Sequence, residues 1–262
     1  MDGYRFYMIN LERAPERRKA MEQKYDRRLL TRVSACDGRS VDVWALPDVV
    51  LPPKEEVRAS PLEIATTISH VRAIHTAFAQ GMQEAIIVED DIYPLFSRVW
   101  GRGLRATLAQ RPSDAECVTL FGVNPRVTRE HLAMASTVRF APRHPEFWSC
   151  ACYFLTRAGM ARIVREYVQA DGRYCLRGDL VADRNMLYPK MRTYHHTRPL
   201  FVDEGRTSYI HPSHLTGVHL VNRRLLLAFV FKDAAAHAAA RARQKRRPQA
   251  RRMGARVTRG AI

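Results

Sequence analysis

An α/β fold, with a sheet flanked by helices, is what this sequence predicts, and three observations carry the prediction. Ile86-Ile87-Val88 is an unbroken β-branched run, as expected of a central strand buried on both faces. Tyr4–Asn10 reads as a first strand, and Pro15 then suits the first turn of a helix. Ser60-Pro61-Leu62-Glu63 places an N-cap serine, an N1 proline and an N3 glutamate ahead of a helical apolar pattern that leads into the 86–88 strand.

The remaining elements follow in order. Met21, Tyr25 and Leu29 recur every four residues and give the helix after Pro15 one apolar stripe, and Leu30–Ala35 reads as a second strand. The Pro-rich stretch Pro47–Pro53 is expected to be a connecting loop. Ile64, Ile68, Val71, Ile74 and Phe78 predict a helix over Leu62–Ala79, stopped by Gly81. Trp100, Leu104 and Leu108 suggest a short helix, and Cys117–Gly122 a further buried strand. From Val123 to Trp148 little periodicity is visible, and Pro125, Pro142 and Pro145 interrupt it, so a long loop that shapes a cleft is expected. Ala151–Leu155 is strand-like, and Thr156 caps a helix carrying Met160, Ile163, Val164 and Tyr167. Met191–Tyr194 reads as a strand, and Leu225–Phe231 as a packed or interfacial helix too short to span a bilayer.

Chemistry concentrates where the 86–88 strand stops. Glu89, Asp90 and Asp91 repel one another, and strand ends are where open α/β sheets hold ligands. A divalent cation accounts for them, with Glu89 and Asp91 on one side of the chain and Asp90 on the other. A solvated acidic turn capping the next helix is the alternative. Arg13, Arg17 and Arg18 at the first strand-to-helix junction suit a diphosphate, because guanidinium pairs with phosphate oxygens bidentately. Asp179 and Asp183 lie four apart and share a face if that segment is helical. His211 and His214 form a weak metal pattern, and a histidine such as His70, set on a helix beside Ser69, is more often a packing residue.

Composition sets outer limits. The 262 residues include five cysteines without paired Cys-x-x-Cys spacing, so reduced, mostly buried thiols are expected. The start Met1-Asp2-Gly3-Tyr4 lacks a signal-peptide core, so a cytoplasmic chain, or one peripheral at the membrane, is expected. About half of the net charge of +17 falls in a tail with no acid after Asp233, and the expected division is one domain over 1–232 and a basic tail, helical or disordered, over 233–262. Two readings of such a tail stand side by side: a solvated segment with no specific partner, or one that takes an anionic partner, namely a membrane surface, an anionic glycolipid or nucleic acid. A nucleic-acid-binding protein or magnesium-dependent nuclease is therefore the rival reading, although no stacking aromatics interleave with the tail and no specific nucleic acid is expected. No Walker loop, GxSxG elbow or HExxH motif is present.

Three stretches in this order resemble glycosyltransferase family 25 of lipopolysaccharide biosynthesis. Ile9-Asn10-Leu11-Glu12-Arg13-Ala14-Pro15-Glu16-Arg17 is similar to its "INL-x-R-x-x-x-R" opening. Glu63-Ile64 running to Ser69-His70 is similar to "GEIGC-x-x-SH", and Ile87–Asp91 to "LEDD". Weaker likeness follows in Tyr153–Gly159, in Ala182-Asp183 and in Pro199-Leu200 leading to Ser208, so the resemblance spans roughly 4–211. Leu62 stands in place of a family glycine, Ala65-Thr66 in place of Gly-Cys, and Ser149 where glycine is frequent. The resemblance implies a GT-A-like fold, with a Rossmann-type mixed sheet, in which Glu89-Asp90-Asp91 holds Mn²⁺ or Mg²⁺ against the diphosphate of a UDP-sugar. By the same resemblance, Glu89, Asp91 and His211 are the metal ligands. Asn10, Leu11, Arg13, Arg17, Ser69, His70 and Asp90 attend the nucleotide sugar. Asp183, with Asp179 second, is the base of an inverting transfer of galactose or glucose to a lipooligosaccharide or other glycoconjugate. A relative that binds sugar nucleotide without catalysis is a third reading.

Overall fold

The computed structural model describes residues 4–95, 103–178, 180–205 and 217–235. The chain opens with β1 (Phe6–Asn10), α1 (Pro15–Lys24), β2 (Leu30–Ser34) and β3 (Val49–Val50). Next come α2 (Pro61–Ala79), β4 (Glu84–Glu89), β5 (Ile92–Pro94), α3 (Leu104–Leu108) and β6 (Cys117–Thr119). They are followed by α4 (Pro125–Met134), β7 (Phe140–Pro142), β8 (Cys152–Thr156) and α5 (Arg157–Tyr167). The last elements are β9 (Tyr174–Cys175), β10 (Thr193–His196), β11 (Phe201–Asp203) and a helix over residues 217–235, α6.

Seven strands form one mixed sheet in the order β2-β1-β4-β8-β6-β10-β7. β1 is parallel to β2 and β4, β6 is parallel to β10, and β8 and β7 run against their neighbours. The sheet is buried on both faces, which is why its central strands are apolar without alternation. Tyr7, Ile9, Ile87, Tyr153 and Leu155 point to the face covered by α2 and α5. Phe6, Met8, Ile86, Val88 and Phe154 point to the other face, which receives Met21 of α1, Leu104 of α3 and Leu226 of α6. The chain therefore forms a single α/β domain around a two-sided core.

The capping box of α2 is complete: Ser60 Oγ accepts from Glu63 N at 3.3 Å, and the Glu63 carboxylate accepts from Ser60 N at 2.8 Å. Thr156 caps α5 by accepting from Gly159 N at 3.2 Å. In α6, Asn222, Leu226 and Val230 make one buried stripe at four-residue spacing. Asn222 fixes its register by accepting from the Thr128 hydroxyl at 2.6 Å and donating to Gly122 O at 3.1 Å.

Two expectations are corrected. Residues 123–148 are not a long loop, because they contain α4 and β7. Pro125 starts α4 at its first turn, with Asn124 Oδ1 accepting from Arg126 N and Val127 N, and Pro142 is tolerated because β7 is an edge strand. The 47–53 connection likewise contains β3, paired with β9. The expected helix at Trp100 falls partly outside the described residues, and the 233–262 tail lies almost wholly outside them.

Candidate active site at the strand ends

From β1 the chain crosses through α1 on one face to β2, then returns through α2 on the opposite face to β4. Adjacent parallel strands whose following connections diverge leave a crevice beyond their carboxyl ends. Asn10 ends β1 and Glu89 ends β4, so the acids stand at that crevice.

Glu89 ends β4, and the turn at Asp90-Asp91 sends the three acids in different directions. Asp90 turns inward and is held by Asn10 Nδ2 at 2.7 Å and Arg17 Nη1 at 3.0 Å. Burial pushes its carboxyl above the usual range, and these two donors oppose that shift. Asn10 is fully occupied in this bracing: its Nδ2 also donates to Ala14 O at 3.1 Å, and its Oδ1 accepts from Arg32 Nε at 3.0 Å. It therefore supports the acids from behind rather than forming the cleft wall. Arg17 also approaches Asp91, at 3.5 Å.

Glu89 and Asp91 open onto two adjoining pockets. The smaller, about 100 Å³, is walled by Leu11, Arg13, Arg17, Asp37, Leu62, Ser69 and the three acids, among others. The larger, about 580 Å³, lies on the other side of Glu89 and Asp91 and reaches Trp148, Cys150, Asp183, Asp203 and His219. Asp91 resists ionisation: burial, then the negative fields of Glu89, Asp90 and Asp203, raise its carboxyl to about 8 against the pull of Arg17. A carboxylate in that setting favours either a proton or a cation.

Arg13 pairs with Asp37, which follows β2 and shares the smaller pocket. The Ser69 hydroxyl donates to Ala65 O at 2.7 Å and accepts from Cys36 N at 2.9 Å. His70 is completely buried, with Nδ1 3.0 Å from the Tyr153 hydroxyl and Nε2 3.4 Å from Glu89 Oε1. Asp183 sits in a π-helical turn over Ala182–Met186, and its Oδ2 accepts from Ser149 N at 2.7 Å. Ser149 has φ +92°, the left-handed region that favours glycine, which accounts for the glycine frequent there in the family it resembles. Asp179 and His211 lie outside the described residues.

Two residues in the larger pocket escaped the sequence reading. Asp203, the last residue of β11, pairs antiparallel with Ile92, immediately after the acids. Its Oδ2 is 3.6 Å from His219 Nδ1, and Arg223 Nε lies 3.9 Å from its Oδ1. No local pattern marks either residue, since three separate chain segments bring them together. Asp37 could have been found as an acid just beyond the second strand.

Fold and site together define an α/β enzyme-like protein with an acid pair shared between two pockets at a topological switch point. The sequence profile of glycosyltransferase family 25, described as an LPS biosynthesis protein family, matches residues 4–171. The chain belongs to this family, which implies glycosyltransferase activity, with a sugar donor and a glycan acceptor, in lipopolysaccharide biosynthesis. No curated protein matches the chain. Among solved structures, A197 from STIV is similar at 11% identity and a TM-score of 0.38 over 80% of this chain and 95% of that one, a likeness too slight to carry an argument. No helix among the described residues is long and apolar enough to cross a membrane.

Proposed function

We propose that this chain is an inverting, metal-dependent hexosyltransferase on a GT-A-type arrangement, moving galactose or glucose from a UDP-sugar to a lipooligosaccharide or similar glycoconjugate. The observation that carries this reading is the position of Glu89 and Asp91, shared by an arginine-flanked pocket and a larger one that holds Asp183. The all-oxygen character of the acid pair and the excess negative field at Asp91 fit Mn²⁺ or Mg²⁺. When bound, such a cation supplies Lewis-acid stabilisation to the departing diphosphate.

The chain's own residues divide the remaining work. Asn10 and Arg17 brace Asp90, and this holds the turn that presents Glu89 and Asp91. Leu11 and Ser69 wall the nucleotide side, Asp37 is placed for a ribose hydroxyl, and Arg13 and Arg17 stand beside the phosphates. Leu62, Ala65 and Thr66, the positions that depart from the family pattern, all line this pocket and so bear on donor preference. Asp183 accepts the proton of the attacking hydroxyl, held in orientation by the Ser149 N–H. Asp203 and His219 contact the acceptor side. Asp203, whose negative field acts on Asp91, and His219 line the same pocket as the acid pair. The exposed Leu220, Val221 and Phe231 of α6, with Arg223, Arg224 and Lys232, support a peripheral seat on an anionic cytoplasmic membrane surface.

The test is thermal stabilisation by UDP and UDP-sugars with and without Mn²⁺, followed by transfer assays on Asp183→Asn. UDP stabilisation that requires metal and survives in Asp183→Asn, with transfer lost, is the expected result. Stabilisation by oligonucleotides with no response to UDP overturns the proposal in favour of a nucleic-acid enzyme.

A further inference from the structure

Behind the acid pair lies a second constellation with different donor chemistry. His70 Nε2 is 3.2 Å from Cys150 Sγ and 3.4 Å from Glu89 Oε1, and Cys150 Sγ is 3.8 Å from that same oxygen. Zinc holds imidazole nitrogen at about 2.0 Å, carboxylate oxygen at about 2.1 Å and thiolate sulfur at about 2.3 Å, so a tetrahedral ion spaces these donors roughly 3.4–3.6 Å apart. The three side chains already stand within a few tenths of an ångström of those edges. They arrive from three different elements: His70 from α2, Glu89 from the end of β4, and Cys150 from just before β8.

Two further observations suit a cation here. His70 Nδ1 contacts the buried Tyr153 hydroxyl at 3.0 Å, the outer contact that orients a ligating imidazole and leaves Nε2 for the ion. His70 lines the smaller pocket, Cys150 the larger, and Glu89 both, so the triad spans the wall between them, with access for an ion and for a fourth ligand. A buried thiol beside an imidazole selects borderline and soft cations over Mg²⁺ or Mn²⁺.

We propose that His70, Glu89 and Cys150 form a binding site for a thiophilic divalent cation of the Zn²⁺ class, separate in chemistry from the oxygen-donor pair Glu89 and Asp91. Binding takes Cys150 as thiolate and releases its proton to solvent. Because Glu89 belongs to both sets, an ion held by the triad withdraws it from the Mn²⁺ pair and inhibits transfer. Only this last consequence rests on the function proposed above.

The experiment is a Co²⁺ titration of the full chain, followed by absorbance. The expected result is a near-ultraviolet thiolate-to-cobalt charge-transfer band with intense tetrahedral ligand-field bands, both abolished by Zn²⁺. Cys150→Ser removes the charge-transfer band, and His70→Gln weakens Zn²⁺ at least tenfold in competition with a chromophoric chelator. Asp91→Asn, which disables only the oxygen-donor pair, leaves the cobalt spectrum intact, so failure here is distinguishable from failure of the transferase reading. A wild-type chain without the band, or a band that persists in folded Cys150→Ser, overturns the site. If Cys150→Ser melts early, zinc-edge X-ray absorption on the wild-type chain decides. One sulfur at about 2.3 Å supports the site, and a sulfur-free shell ends it.

Discussion

The acid crevice and the histidine cluster at the far side of the sheet both bury titratable groups, yet they differ in everything that makes a site. In the cluster, His195 stacks on His131 with ring centres 4.5 Å apart, meets Phe147 edge-on at 4.3 Å and bonds the Thr119 hydroxyl at 2.7 Å. Burial, then His131, His196 and Arg143, hold His195 well below the ordinary imidazole range, and burial brings His196 down to about 4. The space beside them is about 10 Å³, room for roughly one water. In the crevice, carboxylates crowd one another around hundreds of cubic ångströms of open volume. Burial alone gives neutral packing histidines. Function needs uncompensated charge facing space that a ligand can fill.

The largest effect that sharpens this contrast is expected from Asp91→Asn. Removing a metal-facing carboxylate should lower transfer at least 10³-fold, about 4 kcal/mol of transition-state stabilisation. The metal-free variant should melt no lower than wild type, because burial and the acidic neighbours already hold this carboxyl uncharged below about pH 8 and a neutral amide takes its place. Transfer within tenfold of wild type, measured as UDP release with acceptor present, would show that Asp91 is no part of the clamp.

The complementary variant is His195→Ala. Loss of its ring contacts and of the Thr119 bond should cost about 2–4 kcal/mol of stability in urea unfolding. Its kcat/KM at a temperature where it is folded should stay within about threefold of wild type. A selective loss of activity at full stability would instead make the cluster a functional region.

The third expectation concerns pH. A carboxyl raised to about 8 carries a proton below that value, so a cation must displace it. Mn²⁺ affinity should fall by up to about tenfold per pH unit from 8 towards 6, and the slope should vanish in Asp91→Asn. The same shift has a stability sign. The folded state keeps a proton that the unfolded chain, with its carboxyl at 3.8, releases, so this group lowers metal-free stability as pH rises from about 4 to 8. Calorimetric Mn²⁺ titrations across this range check the first part, and melts without metal check the second.

What the sequence revealed follows the range of the interactions involved. The 86–88 strand, the separation of Asp90 from Glu89 and Asp91, and the α2 capping box depend on neighbours within a few residues, so all were legible. Asn124-Pro125 was also a local helix start, but the three prolines of 123–148 obscured it, because a proline in an edge strand looks the same in sequence as one in a loop. Asp203, His219 and the Cys150 contact with His70 depend on β11, α6 and β8 being brought to one strand end. That placement is a property of the tertiary packing, and no spacing in the chain encodes it.

Ser149 gives the smallest effect and links strain to the crevice. Its positive φ is held by Asp183 Oδ2 on its N–H at 2.7 Å, by the Tyr188 hydroxyl on its carbonyl at 2.8 Å, and by its own Oγ accepting from Ala151 N at 3.1 Å. Ser149→Ala keeps the strained backbone and loses the Oγ bond, whereas Ser149→Gly loses the same bond but relieves the strain. The glycine variant should therefore be more stable than the alanine variant by about 1 kcal/mol in urea unfolding. Both should keep most of their activity, since the backbone N–H that orients Asp183 survives in each. The reverse stability order would mean that the turn gives up its positive φ once the side chain is cut. Asp183 would then be held by a backbone able to move, and the crevice would lose the rigidity that the histidine cluster obtains from ring packing and the Thr119 bond.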